Sequence, residues 1–212
     1  MLFLIKKAKW IYTTVFVLYV LSYGAGYLAG KQHWVEYREL LNSDVGTLSR
    51  SLETYVPGYG DLIEEYRSWH DELRNKFLFS RNHWGMRGLI FLNNWIAANI
   101  TMIIRAVFVL PISLSVFGKF AQGVVFAQTP ASTHIWITFL MEFGGYFLVI
   151  CATLSMVFWT IFYRGFGFVT RWAAFRGGLK LLGVAYLVSA AAMIIGSIVE
   201  TDFIMNMFGK FQ

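Results

Sequence analysis

The chain has little charge and almost nothing that punctuates or cross-links its backbone. Of its 212 residues, 14% are Asp, Glu, Lys or Arg, three are proline and one is cysteine. A lone Cys151 excludes an internal disulfide and leaves the redox compartment open. So little charge beside 57% hydrophobic content and a mean hydropathy of +0.55 excludes a soluble domain of this size. A soluble core cannot hide that much apolar surface, whereas lipid can. Enzyme signatures are missing as well. The sequence has no His-Glu-x-x-His pattern, no Gly-x-Ser-x-Gly elbow and no Gly-rich phosphate loop ending in Lys-Ser/Thr, so the expectation is a protein that is not an enzyme. His33, His70, His83 and His134 are dispersed, whereas a zinc site recruits closer spacing. Met141, Met156, Met193, Met205 and Met207 read as apolar filler, with no Met-x-Met repeat beyond 205–207. The net charge of +6 comes from scattered residues without a groove-reading or single-strand motif. No nucleic acid partner, metal or cofactor is therefore expected.

What is present is a succession of apolar runs, and these predict an all-α, polytopic membrane bundle of about five spans. Eleven Tyr and eight Trp fit the aromatic belts of a membrane interface. The first span runs from about Trp10 to Gly30. Lys6, Lys7 and Lys9 precede it, and its apolar stretch is too long for a cleaved signal peptide, so residues 1–30 read as a retained anchor helix. Gly26 and Gly30 lie four residues apart, a spacing that lets another helix approach closely. Residues 31–86 change character. Trp34, Tyr37, Leu41, Leu48, Leu52 and Tyr55 recur at helical spacing, Val56–Pro57–Gly58–Tyr59–Gly60 breaks the run, and Leu62, Tyr66, Trp69, Leu73 and Phe77 form a second stripe. This pattern predicts a helical hairpin outside the hydrocarbon core. Its apolar stripes either pack on each other and the headgroups or offer Trp34, Tyr37, Leu41, Leu48, Tyr66 and Trp69 to a protein partner.

Residues 87–212 read as a four-span bundle. Apolar sequence resumes near Met86 and runs to Leu110 before Pro111. A short third segment, Ile112 to Gln128, carries Gly118, Lys119 and Gly123 and reads as a tilted, broken or re-entrant span. After the turn Thr129–Pro130–Ala131–Ser132, a fourth run covers about thirty residues from Thr133 to Phe162. The basic stretch Arg164, Arg171, Arg176 and Lys180 leads into a fifth segment, about Leu181 to Val199, closed by Glu200 and Asp202. The positive-inside rule then puts the N-terminus and the 164–180 connection in the cytoplasm, with the hairpin outside. The expected location is the inner (cytoplasmic) membrane. Arg74, Lys76, Arg81 and Arg87, just before the second span, pull against this orientation.

Glu142 sits within the fourth run, where a carboxylate costs several kcal/mol unless it is protonated, paired or watered. Its candidate partners are Asn93, Asn94, Asn99, Lys119, Arg105 and Thr138. Arg105 lies about 18 Å beyond Asn93 along a helix axis, close enough to the opposite membrane face to snorkel to water. Two readings of Glu142 stand side by side: a polar clasp between helices, and a carboxylate lining a watered path for a cation or substrate. Glu200 and Asp202 read as interface residues at a span end.

The residues from about Gly88 to Phe203 also carry a resemblance. Phe91–Leu92–Asn93–Asn94, the glycines Gly118 and Gly123, Phe139–Leu140–Met141–Glu142 followed by Gly144 and Gly145, and the closing Ile198–Val199–Glu200 resemble the stage II sporulation protein M family. The resemblance implies a five-span, non-enzymatic envelope component of the kind found in wall-remodelling assemblies. Gly144 and Gly145 are, with Gly26 and Gly30, candidates for helix packing. Family members typically have a His four residues before the membrane glutamate. Here that position is Thr138, and His134 stands one turn further back. The resulting expectation is a non-catalytic subunit or scaffold of a cell-envelope complex, in contact with membrane lipids and with protein partners or further copies of itself. The alternative is a transporter or channel subunit in which Glu142, Asn93 and Asn94 line an intramembrane polar site.

Overall fold

The computed structural model describes residues 2–33, 59–99, 103, 119–120, 123–124, 127 and 133–209. Among these the fold is all-helical. Helix α1 is Leu2–Gln32, α2 is Tyr59–Phe79, and α3 is His83–Leu92, continued by a π-helical stretch Asn93–Ala98; α4 is Thr133–Ile161 and α5 is Arg171–Gly209. Three of these helices are long and apolar enough to cross a bilayer: Lys6–Gln32, Thr133–Ile161 and Arg171–Phe208. Much of the expected second and third spans, with Arg105, lies outside the described residues. So does the first hairpin stripe with Trp34, Tyr37, Leu41 and Leu48.

Helix α4 runs unbroken to within one residue of the expected limit, because the run from Thr133 has no proline and satisfies its hydroxyls locally. Thr153, Ser155 and Thr160 each donate to the carbonyl four residues back, at 2.8, 2.7 and 2.7 Å, so these hydroxyls need no water. Helix α5 corrects the expected fifth segment at both ends. It does not stop at Glu200 and Asp202 but runs 39 residues to Gly209, about 58 Å of helix. Asp202 is tolerated inside it because Arg87 Nη2 of α3 donates to its Oδ1 at 2.8 Å, with His83 Nδ1 at 3.8 Å. The breaker is likewise shorter than expected, since Tyr59 and Gly60 already belong to α2. At the far end of α2 the chain reverses through Arg81 at φ 51°. There Asn82 N donates to Phe77 O and Arg81 N to Leu78 O, a left-handed helix stop usually given to glycine. Asn82 then caps α3 by accepting from Gly85 N at 2.9 Å.

Helices α4 and α5 form an antiparallel pair. Its seam buries Ala152 and Trp159 against Ala174, Leu181 and Ala185, and Gly178 lies directly on Met156. Helix α1 packs antiparallel to α4 through an aromatic ladder: Tyr12 on Phe147, Tyr19 on Phe143 and Tyr23 on Phe139, with ring centroids 5.8, 5.9 and 4.8 Å apart. At the N-terminal end of α1, Lys7 Nζ donates to Phe166 O and lies 4.7 Å from the Phe168 ring centroid. Lys6, Lys7 and Lys9 of α1 and the turn joining α4 to α5 thus share one end of the bundle, with Lys31 at the other end of the helix. The α2–α3 turn lies at the other, where Phe79 meets Phe208 edge to face at 5.5 Å. The outward faces of α1 and α5 are apolar, with Trp10, Leu21, Leu28, Leu187 and Val188 exposed, as a lipid-facing surface requires.

Candidate functional site

The site begins on α2. Tyr66 turns its hydroxyl to Asn93 Oδ1 at 2.7 Å, and burial pushes the pKa of that hydroxyl up, which keeps it a donor. Asn93 Nδ2 donates to Asn94 Oδ1 at 3.3 Å, and Asn94 Nδ2 donates to Glu142 Oε1 at 2.5 Å. Four side chains from α2, the π stretch and α4 therefore form one continuous hydrogen-bonded line. The π-helical turn makes this possible. Its extra residue per turn brings neighbouring side chains closer around the axis than in an α-helix, so consecutive amides can share a face. The wider turn is held on the α5 side by a reciprocal pair, with Trp95 Nε1 donating to Tyr186 O at 3.2 Å and Tyr186 OH donating to Trp95 O at 3.1 Å.

Glu142 stands nine residues into α4, about 14 Å from its start on a helix about 43 Å long. It is thus closer to the middle of the run, about 8 Å further on, than to its start. Beside it on α5 is Glu200, whose charge reaches Glu142, as does that of Lys119. Lys119 is buried, with its ammonium 5.5, 5.2 and 5.8 Å from the ring centroids of Tyr19, Phe143 and Tyr146. Three aromatic faces stabilise the cation where water cannot. Glu142 and Glu200 share a pocket of about 310 Å³ between the first turns of α4 and the last turns of α5, lined also by His134, Ile135, Thr138, Phe139, Phe203 and Ile204. Glu200 Oε2 is buried without a hydrogen-bond partner among the described residues.

The structure therefore brings Glu142, Asn93, Asn94, Thr138 and Lys119 into one neighbourhood. Asn99 belongs to a separate contact, fully buried and donating to Ser189 Oγ on α5 at 3.1 Å. Tyr66, expected on a docking face, is committed inside the chain, whereas Trp69 one turn on is 50% exposed. The glycines divide. A Cβ on Gly26 would strike the Phe120 carbonyl, and one on Gly30 would lie 2.6 Å from Val124 O; one on Gly145 would lie 2.6 Å from Met193 Cε, while one on Gly144 would meet nothing within 4 Å. Gly26 and Gly30 thus serve packing within the chain, and Gly144 faces open space. Glu200 and His134, read from the sequence as residues at the ends of spans and not as site residues, both line the pocket. Their signal was present, since a second carboxylate closing an apolar run is the same anomaly as Glu142.

Among the described residues no three His, Cys, Asp or Glu side chains gather to hold a metal ion. No protein-family model, curated protein or solved structure matches the chain. The geometry defines the class, a helical protein with at least three helices fit to cross a membrane and a polar line meeting a two-carboxylate pocket.

Proposed function

We propose that the chain is a non-catalytic, five-span subunit or scaffold of a cell-envelope complex, akin to the stage II sporulation protein M family. It resides in the inner membrane with its N-terminus in the cytoplasm. The observation that carries this reading is the bond from Asn94 Nδ2 to Glu142 Oε1 at 2.5 Å. The acidic group that most needed a role is engaged in joining helices, as interhelical polar bonds in membranes do. The Asn99–Ser189 and Trp95–Tyr186 bonds act in the same way. Trp69, half exposed on α2 beside exposed Glu64, Glu65 and Glu72, supports a docking role for residues 31–86. Solubilisation in mild detergent followed by native electrophoresis tests the proposal. The expected result is a species much heavier than the 24.3 kDa chain that collapses when 31–86 is deleted. A lone monomer, together with a harmless deletion, would overturn it.

A second reading is favoured by one specific observation, the pocket that Glu142 shares with Glu200. In a transporter or channel subunit, such a pair within the spans would take up a cation, with Asn93 and Asn94 holding the first carboxylate in place. Reconstituted protein with Glu142→Gln decides between the two: unchanged flux of every cation tried removes transport.

A further inference from the structure

We propose that the pocket between α4 and α5 binds a primary ammonium carried on a short apolar body. The charges come first. Among the described residues, the carboxylate of Glu200 and the ammonium of Lys119 each act on the Glu142 carboxylate, and His134, counted as neutral, lines the same pocket. When all three are ionised they leave one negative charge in excess, and a poorly solvated site draws in one positive charge to balance it. The wall then selects the kind of cation. A bare metal ion wants a cage of about six or more oxygens, whereas this lining offers two carboxylates and the Thr138 hydroxyl among Ile135, Phe139, Phe203 and Ile204. Aromatic faces attract cations, and the Phe203 ring stacks on His134 with centroids 6.3 Å apart. A volume of about 310 Å³ exceeds the needs of an ion and suits a small organic molecule.

The acceptors select further. Glu142 and Glu200 both line the pocket, and Glu142 keeps a second oxygen beyond the one Asn94 takes, while Glu200 Oε2 is enclosed with no hydrogen bond among the described residues. An –NH3⁺ group brings three donors to such oxygens, while a quaternary ammonium brings none. Next door the chain already holds a primary ammonium against aromatic faces, where Lys119 lies among three rings. The same chemistry is found in soluble alkylamines and in the headgroup of phosphatidylethanolamine.

The test is calorimetric titration of the full chain in phosphatidylcholine nanodiscs at fixed ionic strength, using n-butylammonium, tetramethylammonium and sodium as probes. The expected result is saturable butylammonium binding at least about tenfold tighter than either of the others, the margin that one charge-assisted hydrogen bond supplies. Glu142→Gln and Glu200→Gln should each weaken it by a similar factor, and Phe203→Ala should reduce the preference for butylammonium over sodium. Selectivity in the unmodified chain decides the proposal even where a variant fails to fold. Equal affinity for sodium, or no heat with any cation because the carboxylates share a proton, would overturn it. Adding phosphatidylethanolamine separates the sources: a raised apparent Kd for butylammonium names the lipid headgroup, and an unchanged one names a soluble amine. The inference uses the pocket of the transport reading without requiring flux. Binding without flux leaves it standing and removes transport, whereas sodium flux without butylammonium binding removes it and leaves transport.

Discussion

Asn94 on the π-helical end of α3 holds Glu142 of α4 through a 2.5 Å hydrogen bond from its amide. A bond of this kind is worth more through what its loss exposes than through what it adds, because the carboxylate is left buried without its donor. Asn94→Leu should therefore destabilise the bundle by about 1–3 kcal/mol. Asn94→Asp, which sets a second negative charge against the first, should cost more. Thermal unfolding in detergent, followed by helical circular dichroism, checks both. If Asn94→Leu matches the unmodified protein, Glu142 is satisfied by some other group.

Upstream in the same line, Tyr66 OH reaches Asn93 Oδ1 at 2.7 Å. Tyr66→Phe keeps the ring contacts with Trp69 and His70 at 5.9 and 6.1 Å and removes only the hydroxyl. The expected loss is about 1 kcal/mol, felt mainly as looser docking of α2. Amide hydrogen exchange should accelerate across Tyr59–Phe79 while α4 stays protected. Acceleration spread evenly over all helices would mean that the hydroxyl supports the whole bundle and not this one attachment.

Much of this was legible in the sequence, and the reasons are local. Helices α1 and α4 follow from uninterrupted apolar runs, and Glu142 stood out because a carboxylate inside such a run needs an explanation. Helix α5 misled for the opposite reason. Its acids were read as a terminus, yet Asp202 stays helical because Arg87, 115 positions earlier in the chain, supplies the counter-charge. That partnership has no signature in the neighbouring sequence. The π stretch at Asn93–Ala98 is equally silent, since it is held by Tyr186 of α5. Glu200 was missed because, once α5 was taken to stop at Val199, its carboxylate had no reason to point inward.

The glycines allow a sharper contrast. Gly26 and Gly30 place α1 against the backbone at Phe120 and Val124, and Gly123 lies in turn on the backbone of Tyr23. Leu at 26 or 30 should force the helices apart and destabilise by about 1–3 kcal/mol or more. Gly144→Ala, with open space for its methyl group, should be neutral or stabilising by up to about 1 kcal/mol, through helix propensity alone. Unfolding midpoints of the three variants, measured side by side, check the ordering. A harmless Gly26→Leu would show that α1 does not lie on 119–124.

The proposed orientation can be tested at the two ends of the bundle. Lys6 and Lys7 lie at the end of α1 that meets Phe166 and Phe168, next to Arg164 and Arg171, while the Ser80–Asn82 turn lies at the opposite end by the Phe79–Phe208 contact. Basic residues favour the cytoplasm; Lys31, Arg74, Lys76, Arg81 and Arg87 at the turn's end pull against the first group, and the proposed orientation has the first end facing inward and the turn outward. Single cysteines test this in a Cys151→Ala background, because the natural thiol is buried and its loss removes the last ambiguity in labelling. In intact cells a membrane-impermeant maleimide should label Ser80→Cys and spare Lys6→Cys and Val169→Cys until the cells are permeabilised. Val169 is 90% exposed, so protection there reports the membrane and not the fold. Labelling of 6 and 169 with 80 spared would invert the orientation. Labelling that separates 6 from 169 would break the antiparallel arrangement of α1, α4 and α5 itself, because those positions stand at one end only if α1 and α5 enter the bilayer from the same face.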